Sequence, residues 1–186
     1  MTEVSSLTGR LLVATPTLAD PNFDRAVVLL LDHDDEGSLG VVLNRPTPVT
    51  VGDILEQWSP LAGDPGVVFQ GGPVSLDAAL GLAVIPGDEG PLGWRRVYGA
   101  IGLVDLETPP ELLAAALGSL RIFAGYAGWG PGQLEEELTG GAWYVVESEP
   151  GDVSSPHPES LWRAVLRRQR SELAMVATYP DDPSLN

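Results

Sequence analysis

The chain has 186 residues, 44% hydrophobic and 19% charged, a length and balance that suit one packed core and exclude a disordered chain. It contains no cysteine, which excludes disulfides, thiol catalysis and thiolate metal sites and fits a reducing compartment. Its net charge is −16, with 26 acidic residues against 10 basic ones, all of them arginine; such a field repels polyanions and disfavours direct nucleic-acid binding.

The opening MTEVSSLTGR has neither a basic leader nor an apolar h-region, and no stretch reaches the roughly 18 consecutive apolar residues of a spanning helix. The expectation is a cytoplasmic protein with no membrane segment, one domain over residues 1–186, with about 1–8 and 180–186 mobile. Residues 11–14 (LLVA) read as a strand that stops at Thr15 and Pro16, followed by a turn, ADPNFDR. Residues 26–32 (AVVLLLD) and 40–44 (GVVLN) flank a Gly37-containing loop over 33–39 and read as a hairpin, and their continuous apolarity predicts cover on both faces. Residues 50–58 (TVGDILEQW) predict a short helix with Thr50 as N-cap and Asp53 three residues on. Strands follow at 67–70, 80–85 and 97–101, the last two separated by the loop PGDEGPLGW. Thr108, Pro109, Pro110 and Glu111 form a helix start that leads into ELLAAAL. Residues 120–124 read as a strand, 132–138 as a short helix and 143–147 as a strand, with SEPGDVSSPHP as a mobile loop. The last helix spans about 158–173, with Leu161, Trp162, Val165, Leu166 and Leu173 on one face and Arg163, Arg167 and Arg170 on the other. Strands joined as hairpins without regular βαβ alternation predict an α+β fold with a mixed sheet.

Four blocks, LLVATPTLADPNF, VVLLLDHDDEGSLGVVLNRP, QGGPV and FAGYAGWGPGQLEEELTGGAWYVV, lie between Gly9 and Val146, about three quarters of the chain. In order and spacing they resemble the YqgE/AlgH family. The resemblance implies a mixed, bifurcated β-sheet wrapped into a pseudo-barrel with helices packed outside. It also implies a poorly defined function, with one branch named as a transcriptional regulator, and it supplies no catalytic residues. The chain departs from that pattern after GGPV, where relatives carry an Arg-Gly-Phe stretch and this sequence has SLDAALGLAVI, and again at its end, YPDDPSLN, where relatives carry a Gly-His-Ala stretch.

The glycine density of GYAGWGPGQLEEEL invites a phosphate-loop reading, because helix-start N–H groups bind anions. Against it, Gly128, Gly130 and Gly132 are spaced G-x-G-x-G, no Walker Lys-Ser/Thr follows, Pro131 removes a donor, and Glu135, Glu136 and Glu137 already answer the helix dipole. Glu147, after the next strand, stands near the place of a ribose-binding acid. The structural alternative has the glycines letting Tyr126 and Trp129 pack closely, with Pro131 starting the helix. Tyr126 and Trp129 are further expected to be partly exposed anchors for a protein or small ligand.

Asp32, His33, Asp34, Asp35 and Glu36 are the densest ionisable cluster, and their spacing imitates the start of an EF-hand. The twelfth position is Leu43, however, so a solvated acidic turn is expected and no metal. His33 and His157, the two histidines, lie near no nucleophile signature, and Ser75 reads as a turn or cap residue. Arg45, beside Asn44, suits either an anion or a charge pair with a nearby carboxylate. Arg163, Arg167, Arg168 and Arg170 read as a solvated helix face, with an acidic partner or phosphate as the alternative. The candidate ligand or partner surface is Asn44, Arg45, Gly71, Gly72, Tyr126, Trp129 and Gln133, and no cofactor is expected. The leading reading is a non-enzymatic regulatory domain, a monomer or weak homo-oligomer, acting through a protein or small-molecule partner. A DNA-binding regulator and a hydrolase or nucleotide-binding enzyme are the alternatives.

Overall fold

The structure is a computed structural model that describes residues 6–18, 20–21, 23–87, 90–169 and 172–178. Its strands are β1 (Leu11–Ala14), β2 (Val27–Asp34), β3 (Gly37–Val42), β4 (Pro46–Thr50), β5 (Val67–Gln70), β6 (Val74–Val84), β7 (Trp94–Tyr98), β8 (Ile101–Val104), β9 (Ser119–Trp129) and β10 (Trp143–Val146). They form one sheet of order β10-β1-β2-β3-β9-β6-β8-β7, with β5 branching off β9 and β4 off β5. All pairings are antiparallel except β5 with β9, so the sheet is mixed, as expected. It is also bifurcated. On one side of β9, residues 127–129 pair with β3 while Phe123 and Ala124 pair with β5.

The sheet curls into a half-barrel, because continuous runs such as Val27 to Leu31 are buried and need cover on both faces. The curl brings β7 back toward the chain start: the Tyr98 hydroxyl donates to Glu147 Oε2 at 3.3 Å, and its ring lies against Gly9. The concave face gathers Leu11, Val13, Leu29, Val41, Phe69, Leu82 and Phe123 under the helices α4 (Pro150–Val153), α5 (Leu161–Arg167) and α6 (Leu173–Val176). Trp162, buried in this core, donates its indole N–H to the Ala14 carbonyl at 2.8 Å. Outside the first half of the sheet, Leu12, Val28 and Leu30 pack under α3 (Gln133–Thr139) with Trp129 and Trp143. Outside the second half, Val68, Ala83 and Ile122 pack under α1 (Val51–Ile54), a 3₁₀ turn (Glu56–Leu61) and α2 (Glu111–Ala114).

Several elements differ from expectation, each for a local reason. The 33–39 loop contracts to a turn at Asp35 and Glu36, with Asp34 paired to Gly37 and a bulge between Leu30 and Asp32. Pro46 and Pro48 hide β4, an edge strand that meets β5 only at Pro46↔Phe69 and Thr50↔Val67. Thr50 thereby belongs to a strand and makes no side-chain cap, and the helix expected over 50–58 shortens to one α turn and a 3₁₀ turn containing Pro60. The strand expected at 97–101 is two strands: Tyr98 pairs with Ile101 across Gly99 and Ala100, and Gly99 takes φ +57°. Thr108 makes no cap for α2, which spans only Glu111–Ala114; its side chain fills the space beside Gly93.

The segment expected to be a mobile loop contains α4, fixed by a reciprocal capping box between Glu149 and Asp152. The last helix is interrupted after Arg167, although Leu161, Trp162, Val165 and Leu166 are buried together as expected. Of the ends expected to be mobile, 1–5 and 180–186 lie outside the described residues, while Leu7 donates its N–H to His33 Nδ1 at 2.9 Å. Arg170 lies outside them as well.

Candidate functional site

Gly71 stands where the sheet forks. Its N–H donates to the Ala124 carbonyl of β9 and its carbonyl accepts from Val42 of β3, both at 2.8 Å, while Gln70 N–H reaches the Arg45 carbonyl at 2.8 Å. Three backbones therefore meet without room for side chains. A Cβ on Gly71 would lie 2.4 Å from the Gly125 carbonyl oxygen, and one on Gly72 would lie 2.2 Å from the Tyr126 carbonyl carbon. Gly125, at φ +75°, completes the junction. Residues 120–124, expected as a short strand, extend through GYAGW to Trp129, because β3 pairs with the glycine-rich run.

Asn44 is a staple: its Oδ1 accepts from Val27 N–H at 3.0 Å and its Nδ2 donates to the Arg25 carbonyl at 2.9 Å, so the amide closes the turn entering β2. Arg45 donates to the Asp24 carbonyl, a neutral acceptor that is neither an anion nor a carboxylate partner. With Pro21, Val42, Gln70, Gly72 and Pro73 it lines a cleft of about 180 Å³. Beside the cleft, Val74 pairs with Tyr126 and Ala79 with Ala124, so residues 75–78 arch out opposite Gly125 alone. The arch starts at Ser75, whose φ is +50°, and it exposes Leu76 to 53% and Val74 to 37%. Tyr126 beneath it is half-buried. The structure thus brings Asn44, Arg45, Gly71, Gly72 and Tyr126 into one neighbourhood. Gln70, Pro21 and Leu76 join them; Gln70 was visible in QGGPV, but the arch depends on a pairing that only the fold supplies.

Trp129 and Gln133 sit elsewhere. Trp129 is 6% exposed, so its expected role as an exposed anchor is corrected. Its indole and that of Trp143 donate to the same Glu137 Oε1 at 3.1 and 2.9 Å, and Trp143 meets both Trp129 and Phe23 edge-on. Gln133 accepts from Gly130 N–H at 3.0 Å and donates to Glu137 Oε2 at 3.1 Å, which occupies the N–H a phosphate loop would offer. Of the motif's glycines, Gly125 and Gly132 have positive φ, whereas Gly128 and Gly130 do not. Glu147, the candidate ribose acid, pairs with Arg10 at 3.0 Å.

The acidic cluster is not uniformly a solvated turn. His33 is 5% exposed, its Nδ1 accepts from Leu7 N–H and its Nε2 lies 2.8 Å from Glu135 Oε1, which fixes the Nε2–H tautomer. The hydrogen bond from His33 holds the Glu135 carboxyl below its ordinary value of 4.5. The stability it contributes is therefore complete above that value and is lost as pH falls through the lower folded one. Asp34 accepts from Glu36 N–H at 2.8 Å, Leu43 at the EF-hand's twelfth position is fully buried, and among the described residues no three His, Asp or Glu side chains are placed to hold a metal. His157 is a surface residue, 3.7 Å from Glu159.

The arginines of α5 are not simply a solvated face. Arg168 grips both oxygens of buried Asp152 at 2.6 and 2.7 Å and pairs with Glu149 at 3.0 Å, which raises its pKa further. Arg163 donates to the Ala177 carbonyl at 2.5 Å, and Arg167 is exposed. Arg121 in β9 is 1% exposed and lies 4.3 Å over the Phe69 ring. It donates to the carbonyls of Asp64 and Ser155 at 2.8 and 2.9 Å, and burial lowers its pKa to about 10.

No helix among the described residues is long and apolar enough to cross a membrane. Residues 11–174 match a family profile described as AlgH-like. A UPF0301 protein of Streptomyces avermitilis is 86% identical over 100% of this chain and 98% of its own length. One of Mycobacterium tuberculosis is 47% identical over 96% and 90%. Among solved structures, DIP2367 of Corynebacterium diphtheriae superimposes with a TM-score of 0.89 at 30% identity, covering 96% of this chain and 95% of that one. The AlgH protein of Pseudomonas aeruginosa, a UPF0301 member solved in solution, gives 0.69 at 30% identity over 97% and 98%. Matching the profile along nearly its whole described length, and superimposing on solved relatives over nearly all of its fold, the chain belongs to the AlgH-like family, UPF0301.

Proposed function

We propose that this protein is a regulatory interaction domain of the cytoplasm, without catalytic chemistry of its own, that grips a protein partner through the surface at the fork. The observation that carries the reading is the arch of β6, which leaves ladder pairing and exposes Val74 and Leu76 beside half-buried Tyr126 and the Arg45 cleft. A protein of ordinary composition gains nothing in stability from exposing two aliphatic side chains on a strained loop, whereas apolar anchors around one cation suit a partner. The histidines support a non-enzymatic reading: both ring nitrogens of His33 are engaged, and His157 pairs with Glu159 at the surface. Regulation here passes through protein contact, because a net charge of −16 opposes approach to DNA.

The test is site-specific photo-crosslinking from position 76 in the native host, followed by reconstitution of the captured complex from purified components. Leu76→Asp should weaken that complex at least tenfold, about 1.4 kcal/mol or more, while Leu112→Asp, at a similarly exposed leucine on α2, should leave it unchanged. Equal affinity of the Leu76→Asp protein would sink the reading.

A further inference from the structure

The antiparallel register places Arg95 of β7 opposite Leu103 of β8, Leu103 opposite Leu82 of β6, and Leu82 opposite Arg121 of β9. Directly opposed residues share a face, so the four side chains form one row on the concave side of the half-barrel, with an arginine at each end. Arg121 lies deep under the helices and is held by two carbonyls. Arg95 stands exposed on the edge strand and has no hydrogen bond or ion pair among the described residues. Among the described residues, then, this inward-facing arginine meets no carboxylate, and its donors are free of protein partners there.

The space around it is mainly apolar on one side and mixed on the other. One concavity of about 440 Å³ is walled by Leu80, Trp94 and Leu103, and another of about 230 Å³ by Leu39 and Val97. They adjoin, because both are lined by Arg95 and Leu103. The larger falls within the roughly 300–1,000 Å³ typical of small-molecule sites, which are mostly apolar with a few convergent polar groups. A planar guanidinium with free donors matches a carboxylate in paired N–H to oxygen bonds. Asp105 borders the first concavity, and Asp32 the second together with Arg96, whose guanidinium already donates to the Gly99 and Gly87 carbonyls, so a second negative charge on the ligand would face a carboxylate in each.

We propose that this trough binds a small amphipathic monocarboxylate, its apolar body lying on Leu80, Val97 and Leu103 and its carboxylate held by Arg95. The site uses no residue of the fork, so it stands or falls separately from the protein-partner reading. An inward-pointing charge can also protect an edge strand from pairing with another chain, but that role needs only a charge and no trough.

Titration of the full chain with decanoate, followed by calorimetry and by methyl and amide NMR, tests the site. Saturable one-to-one binding is expected, with shifts centred on Leu80, Val97 and Leu103. Decanol, which keeps the chain and loses the charge, should bind at least tenfold more weakly, as should decanoate to Arg95→Gln. Arg95→Lys should keep part of the affinity and Arg167→Gln all of it. Absence of saturable binding, shifts centred elsewhere, or equal affinity of Arg95→Gln would each overturn the proposal. Self-association of Arg95→Gln with decanoate affinity unchanged would assign Arg95 to edge protection alone.

Discussion

A methyl group added at Gly125 would lie 2.7 Å from the Gly72 carbonyl oxygen and 2.9 Å from that of Val74, on a backbone at φ +75°. Added at Gly128, its nearest neighbour would be a Tyr126 ring carbon 4.0 Å away. Gly125→Ala should therefore lower stability by roughly 3 kcal/mol or more, from the left-handed backbone and the backbone collision together. Gly128→Ala should change it by less than about 1 kcal/mol, since alanine suits a strand no worse than glycine. Urea denaturation of the two variants measures the difference, and equal losses would refute this account of the fork. From sequence the two glycines are indistinguishable, because what separates them is the Gly72 to Val74 backbone, some fifty residues away along the chain. Trp129 posed the same difficulty: an indole in a glycine-rich run looks exposed until Glu137 and Trp143 are known to lie over it.

Among the elements, α4 shows how much a short helix can depend on one side chain. Asp152 caps its start through Glu149 N–H at 2.8 Å and receives two hydrogen bonds from Arg168, the residue that ends α5. Asp152→Ala removes the cap and leaves a half-buried arginine without its main partner, so a loss of about 3–5 kcal/mol is expected in urea denaturation. Asp152→Asn keeps a cap acceptor and should lose less. If the alanine variant lost under about 1 kcal/mol, α4 would not be held in this way. The buried strands were legible because AVVLLLD and GVVLN are apolar without interruption. By contrast, β4 was hidden by its two prolines. The turn between β7 and β8 was hidden because Gly99 sits within an apolar run, and pattern alone does not separate one strand from two.

For the molecule as a whole, the excess of 26 acidic over 10 basic residues means that many carboxylates repel one another in the folded state. Raising salt from about 10 mM to about 300 mM, which shortens the screening length several-fold, should raise the melting temperature by a few degrees. A fall in melting temperature over that range would show that attractive pairs such as Arg10 with Glu147 outweigh the repulsion. The fold class, the mixed sheet and the family were legible from blocks that lie in order along the chain. The neighbourhood of Asn44, Arg45 and Gly71 was visible only as separate residues, and Arg95 not at all, since its environment is set by a register across four strands.

That same register carries a consequence for how the protein is made. Strand β9 pairs with β3, β5 and β6, so all three await a segment that begins at Ser119. During synthesis the nascent chain can form the β1–β2–β3 meander and the β6–β8–β7 ladder early, yet each leaves open the edge that β9 will fill until β9 emerges. Long-range closures of this kind are slow and leave edges open to wrong partners. The interval between translation of Val84 and of Trp129 is thus the period in which a growing chain most needs shelter from its neighbours on the same message.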